Sequence, residues 1–227
     1  MIPLKDDNPI SSRPIVTYFL IGMCVVVFLM QLGSQSYRTG QLFYSYGLIP
    51  SVLMGHDQLP IDLYVVPAYV TIFSSMFMHG GWMHLIGNMW YMKIFADNIE
   101  DNLGSRNFII FYILCGIGAA MAQVLMDTHS QVPMIGASGA IGGVLGAYLI
   151  NHPNARVLVL IPYIIITIIK IRALYVLGFW FILQFISSGG GVAYAAHIGG
   201  FVSGMILILF FNKKTRKKTK IVKGPWG

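Results

Sequence analysis

Apolar residues gather into long runs separated by short polar breaks, and the run lengths decide the first reading. Ile15 to Leu32 is a continuous apolar stretch, close to the roughly 20 residues that carry a helix across a bilayer. The polar residues before it include Asp6 and Asp7 beside Lys5 and Arg13. With no small-x-small cleavage site, this reads as a retained span, not a signal peptide. Gly33 to Pro67 scatters Tyr and Leu among Gly, Pro and Asp, the pattern of a large external loop with short helices at the interface. A second span is predicted from about Trp82 to Phe95, with Ile72 to Met78 extending its apolar character upstream. Asp97, Glu100, Asp101 and Arg106 then read as a polar turn. The third span is Phe108 to Met126, followed by the loop Asp127 to Pro133, and the fourth is Ser138 to Ile150.

Val157 to Ile169 is apolar and β-branched, but Pro162 interrupts it and Lys170 and Arg172 follow. Two full spans here would leave only a few residues for their turn. One span is therefore read, Ala173 to Ile186, with the preceding stretch as its lead-in. Ser187, Ser188 and three glycines form a flexible loop, and the last span is Val192 to Phe211. The expected fold is an all-α polytopic membrane protein. A six-transmembrane-helix bundle occupies residues 15–211, between an N-terminal segment, 1–14, and a basic tail, 212–227.

Composition agrees. Apolar residues make up 56% of the 227 and charged residues only 10%, against about a quarter in soluble domains. Mean hydropathy is +0.70. Cys24 and Cys115 lie inside apolar runs and imply no disulfide framework. The net charge of +7 is concentrated: seven of fifteen basic residues fall between Lys213 and Lys223. A basic tail beside a span sets orientation and meets anionic lipid headgroups. No interleaved aromatic–basic surface points to nucleic acid. With six spans both termini share a side, which then holds every Lys and Arg except Arg38, so both termini are expected to be cytoplasmic.

That topology brings polar residues together. The second, fourth and sixth spans all enter from outside, carrying His79, His84 and Asn88, then Ser138, then His197. Small residues recur at four-residue steps after Ser138 (Gly142, Gly146) and around His197 (Ala196, Gly200, Gly204), the spacing that lets two membrane helices approach closely. A serine is a poor nucleophile until a base takes its proton, and a neutral His197 is the available base. The Ser138 amide at a helix N-terminus favours negative charge. Asn88 and His84, four apart on one helical face, supply side-chain donors for an oxyanion. All eight Asp and Glu lie outside the spans or at their ends, so a dyad is expected.

Each feature alone has a plainer reading. Small polar residues pack membrane helices, Asn88 can bond a neighbouring helix, and His79 suits a structural hydrogen bond. A zinc protease is disfavoured, with no H-E-x-x-H and no carboxylate at that depth. A solute transporter is disfavoured because the polar residues cluster near one face. The remaining competitor is a catalytically silent scaffold that binds transmembrane helices.

In order, however, the motifs resemble one family. Gly136-Ala137-Ser138-Gly139, His79-Gly80-Gly81-Trp82-Met83-His84 with Asn88, and Ala196-His197-Ile198-Gly199-Gly200-Phe201-Val202-Ser203-Gly204 are similar to the rhomboid intramembrane serine proteases. Tyr46-Gly47-Leu48-Ile49-Pro50 and Phe95-Ala96-Asp97-Asn98-Ile99-Glu100-Asp101 extend the match over most of residues 43–211. The resemblance implies Ser138 as nucleophile, His197 as general base and then acid, and Asn88, His84 and the Ser138 amide as oxyanion donors. It further implies single-span transmembrane substrates cut near the outer boundary, after a small residue, with no cofactor. The setting would be the plasma membrane of a prokaryote. The fifth span and the Ser188–Gly191 loop would act as lateral gate and cap. Two departures stand out: Val70 and Thr71 replace the Trp-Arg pair of many relatives, and Gly142 replaces an aromatic that stacks on the catalytic histidine in some. The external loop is therefore expected to be anchored differently, and Tyr194 or water to orient His197.

Overall fold

The computed structural model describes residues 1–38, 40–162, 166–186 and 193–211; the expected cap loop and the basic tail lie outside the described residues. Most of the chain is helical. Strand β1 (Ile2–Asp6) leads to helix α1 (Ile15–Gly33) and then to short helices α2 (Gln35–Arg38), α3 (Gln41–Tyr46), α4 (Pro50–Leu53) and α5 (Thr71–Ser74). Helices α6 (Trp82–Leu103), α7 (Ser105–Met126) and α8 (Ser138–Asn151) follow. Next come strands β2 (Arg156–Pro162) and β3 (Ile166–Arg172), then α9 (Ala173–Ile186) and α10 (Tyr194–Phe211). Among the described residues, α1, α7 and α10 are long and apolar enough to cross a membrane by length and composition.

The all-α expectation is corrected by a three-stranded antiparallel sheet in the order β1-β2-β3. Strands β2 and β3 pair antiparallel, with Arg156 opposite Arg172 and Val157 opposite Ile171. The cause is visible in the residues. Val157 and Val159 are fully buried while Leu158 and Leu160, which alternate with them, are not, a two-residue alternation that suits a half-buried strand. β-Branched side chains favour that conformation. The N-terminal segment is drawn in as well, with Ile2 opposite Leu160 and Asp6 opposite Val157. Asp6 accepts from the Tyr148 hydroxyl at 2.6 Å and from Asn98 Nδ2 at 3.1 Å. Its burial nonetheless holds the carboxyl above the usual range.

The expected turn at residues 97–106 is also corrected. α6 continues to Leu103, and Glu100, 1% exposed, faces the start of α1. It accepts from the Val16 amide at 2.9 Å, the Thr17 amide at 2.7 Å and Thr17 Oγ1 at 2.8 Å. The first amides of a helix lack partners within it and carry the positive end of its dipole. A carboxylate placed there satisfies both. Asp101 holds the bend before α1, accepting from the Ser11 and Ser12 amides at 3.0 and 2.8 Å.

The apolar stretch before α6 is not continuous with it. Ile72–Met78 lies in α5 and a following 3-10 turn, and α6 begins only after Gly80-Gly81. The external loop, lacking the Trp-Arg pair, is held by a two-residue bridge in which Leu48 and Met134 exchange backbone bonds of 3.0 and 2.7 Å. Ser74 Oγ adds a bond to the Tyr46 carbonyl at 2.7 Å.

Replacing one buried carboxylate oxygen by an amide turns an acceptor into a donor facing donors. Glu100→Gln is therefore expected to lower stability by about 2 kcal/mol, in line with the value of a hydrogen bond to a charged group. Thermal unfolding in detergent measures this; an unchanged midpoint would show that α1 does not need its cap.

Candidate active site

Helices α8 and α10 touch backbone to backbone. A methyl group added at Gly200 would lie 1.9 Å from the Gly139 carbonyl oxygen, and one at Gly204 would lie 1.9 Å from that of Gly143. The small-residue stripe expected on α10 is thus in contact with Gly139 and Gly143, and the expected α8 stripe shares the seam: a methyl group at Gly142 would lie 3.0 Å from the His197 carbonyl oxygen and one at Gly146 2.1 Å from that of Phe201. This approach fixes Ser138, the first residue of α8, and His197, in the first turn of α10, as neighbours. Ser138 Oγ and His197 Nε2 are 2.8 Å apart.

The other nitrogen of that imidazole, Nδ1, lies 2.8 Å from Gln184 Oε1 on α9. Gln184 in turn donates through Nε2 to the Trp180 carbonyl at 2.7 Å. Trp180 also packs against the imidazole face, with ring centroids 5.8 Å apart and planes tilted by 35°. Its Cη2 lies 3.7 Å from where a side chain at Gly142 would begin. An aromatic from α9 therefore occupies the space beside Gly142. Tyr194 meets His197 edge-on at 6.3 Å, so the nearest orienting contacts come from α9 and not from Tyr194 alone. Sequence reading missed Gln184. The available signal was an amide side chain within an otherwise apolar and aromatic span, where polar groups are functional candidates by default.

On the opposite wall, α6 brings His84 and Asn88 to the same cavity, about 1160 Å³ in volume and lined also by Ser138, Trp180 and His197. The Gly80 amide donates to His84 Nδ1 at 3.3 Å. An accepting Nδ1 leaves the proton of a neutral imidazole on Nε2. A side chain begun at Gly136 would meet His84 Nε2 at 2.7 Å and Ser138 Oγ at 3.5 Å, so that N–H borders the same small gap as the hydroxyl. Asn88 Nδ2 is buried without a hydrogen-bond partner among the described residues. A buried donor left unpaired is costly, and one aimed at a cavity is ready for an incoming acceptor. His79 is held differently. Its backbone N–H donates to Gln31 Oε1 and its carbonyl accepts from Gln31 Nε2, both at 3.1 Å. This anchors the turn before α6 to α1. Among the described residues no group of three or more His, Cys, Asp or Glu is arranged to hold a metal ion.

A helical membrane protein with a serine and histidine in hydrogen-bond contact, faced by two amide or imidazole donors, is the class these observations define. Residues 66–214, more than half of the chain, match the family profile described as Rhomboid domain, and the chain belongs to the rhomboid family. It is an integral membrane protein. RHOMBOID-like protein 5 of Arabidopsis thaliana is 31% identical over 138 residues, 60% of this chain and 42% of that protein. Rhomboid protease GluP of Bacillus subtilis is 28% identical over 197 residues, covering 86% of this chain and 34% of the relative. Putative rhomboid protease YdcA of the same organism is 29% identical over 153 residues, 64% and 69% respectively. The chain spans about half the length, or less, of several of these relatives, Rhomboid protein 1, mitochondrial, of Saccharomyces cerevisiae among them at 48%.

Gly136 sits at a φ of 119°, a conformation that costs other residues about 1–3 kcal/mol. Gly136→Ala is expected to displace His84 and reduce activity while the protein still folds. Turnover measured beside thermal unfolding checks this; undiminished turnover would show that His84 need not sit where it does.

Proposed function

We propose that this protein is an intramembrane serine endopeptidase that hydrolyses peptide bonds in or beside the transmembrane segment of single-span membrane proteins. The observation that carries the reading is the 2.8 Å contact of Ser138 Oγ with His197 Nε2, within a cavity that also presents His84 and Asn88. Relatives named as proteases support it.

In the proposed reaction His197 Nε2 takes the Ser138 proton as Oγ attacks the scissile carbonyl carbon. The carbonyl oxygen becomes an oxyanion, received by the Ser138 amide at the α8 N-terminus, His84 Nε2–H and Asn88 Nδ2–H. The intermediate then collapses. The C–N bond breaks, and the leaving amine takes the proton from His197. Water attacks the resulting ester with His197 again as base, the new acid departs, and Ser138 recovers its proton. Every step uses groups of the chain and water, so no cofactor enters.

Helix length supports a site below the membrane surface. The 14 residues of α8 rise only about 21 Å, against about 30 Å of hydrocarbon. With its C-terminus at one boundary, its N-terminus and Ser138 lie about a third of the way in from the other. Six spans (α1, α6, α7, α8, α9 and α10) with both termini cytoplasmic fit the charge distribution. On this reading the site opens near the outer face of a prokaryotic plasma membrane, the setting the family resemblance implies, and the basic tail meets anionic headgroups. The family resemblance supports a small residue before the scissile bond, with α9 and residues 188–191 as gate and cap.

Ser138→Ala and His197→Ala are each expected to abolish cleavage of a model single-span substrate in detergent or vesicles, with expression unchanged. A fluorophosphonate probe should label Ser138 only when His197 is intact. Full cleavage by either variant would remove the assignment of Ser138 and His197 as the reacting pair. Asn88→Ala is expected to slow turnover by roughly tenfold to a thousandfold, the range for losing one oxyanion donor; an unaltered rate would reduce Asn88 to packing.

A further inference from the structure

We infer that Gln184 is a positioning residue for His197, holding the imidazole in the tautomer that leaves Nε2 free to accept the Ser138 proton. The inference rests on the protease reading and adds a third member, from a third helix, to the serine–histidine pair. It follows from hydrogen-bond direction alone. A backbone carbonyl can only accept, so the Gln184 group facing the Trp180 carbonyl at 2.7 Å must be its NH₂. That fixes the amide orientation and turns Oε1 toward His197. Oε1 can only accept, so His197 Nδ1, 2.8 Å away, must carry the proton. A neutral imidazole has one ring proton, which leaves the Nε2 lone pair facing Ser138 Oγ at 2.8 Å. Each link forces the next.

Gln184 is 9% exposed, so water competes little for this bond. In serine hydrolases with a triad a carboxylate fills the corresponding role, both fixing the tautomer and stabilising the imidazolium that forms. A neutral amide fixes the tautomer and contributes only its dipole to the cation. In a site walled by apolar helices this avoids burying a permanent negative charge. The other titratable groups facing His197 are Ser138 on α8, His84 on α6 and Tyr194 on its own helix. From α7 the neutral Gln123 reaches the residue before His197, accepting from the Ala196 amide at 3.2 Å.

The test uses the full chain in detergent, with two variants of Gln184 and with His197→Ala and Ser138→Ala as controls. Gln184→Leu keeps the volume and removes the acceptor. It is expected to lower kcat on the order of tenfold or more, with KM unchanged. Gln184→Glu keeps the acceptor and adds charge. It favours the imidazolium, so the acid limb of the pH–rate profile, where the base is lost to protonation, should move to higher pH. A side chain that packed on α9 without contacting Nδ1 would produce no such shift. The tautomer itself is read on resting protein from ¹⁵N-histidine spectra, with the His197 signals assigned by their loss in His197→Ala. Wild type should show Nδ1 protonated, and Gln184→Leu should lose that preference. An unchanged His197 spectrum in the Leu variant, or an unmoved acid limb in the Glu variant, overturns the inference. Either variant decides alone if the other fails to fold. Because the spectra need no turnover, failure of the protease reading, seen as equal cleavage by wild type and Ser138→Ala, is distinguished from failure of the tautomer lock.

Discussion

The contact of α8 with α10 governs the rest of the molecule. Gly200 and Gly204 have no room for even one carbon between their backbone and the carbonyls of Gly139 and Gly143. In lipid there is little hydrophobic gain from pairing two apolar helices, so close backbone packing is what joins them. Ser138 and His197 each sit within a turn of that seam, one on either helix. Their side chains are short, and a hydrogen bond between them exists only because the helices pack without side chains in between. A larger residue at the seam would separate hydroxyl from imidazole by more than hydrogen-bond reach before it disturbed either group directly.

A second constraint is directional. Two helices at contact distance would still leave the imidazole free to present either tautomer. The amide on α9 removes that freedom, while the Gly80 amide, just before α6, sets the opposite tautomer at His84. The two imidazoles thus differ in role through one backbone or side-chain partner each. His197 presents a lone pair to the serine, and His84 presents an N–H to the gap beside it. On the protease reading the same ring chemistry gives a base on one wall and a donor on the other, and neither outcome is visible in the residue type.

That contrast marks the boundary of what was legible in the sequence. The helix seam was legible because glycine recurring every four residues in an apolar run serves close backbone contact above all. Ser138, His197, His84 and Asn88 were found by asking which polar groups share its depth. The sheet was not legible. Residues 157–169 are apolar enough to suggest membrane, and their two-residue alternation becomes decisive only when β1, from the far end of the chain, pairs with them. Glu100 looked like part of a turn because a charged residue usually marks one; its partners, the amides of Val16 and Thr17, come from another helix. Gln184 was passed over because it lies far from Ser138 in the chain, in a span read for its apolarity. In each case the deciding partner is remote in sequence, and a local pattern carries no record of it.

Where Gln184 sits also bears on how the site works. α9 presents Tyr175, Phe179, Ile182, Phe185 and Ile186 outward, so one face of this helix packs on the site and the other lies open to lipid. Trp180 and Gln184 are one helical turn apart and face inward together, which means any outward movement of α9 withdraws both from His197 at once. A hydrogen bond of 2.8 Å is lost within about 1 Å of such movement, since bonds weaken steeply past roughly 3.5 Å. The imidazole would then lose its tautomer preference and its aromatic neighbour in the same step. If a substrate helix enters beside α9, as the family resemblance implies, the base is fully oriented only once α9 has returned. Entry and readiness for proton transfer are then opposed by the same helix, and the serine is least reactive while the site is most open.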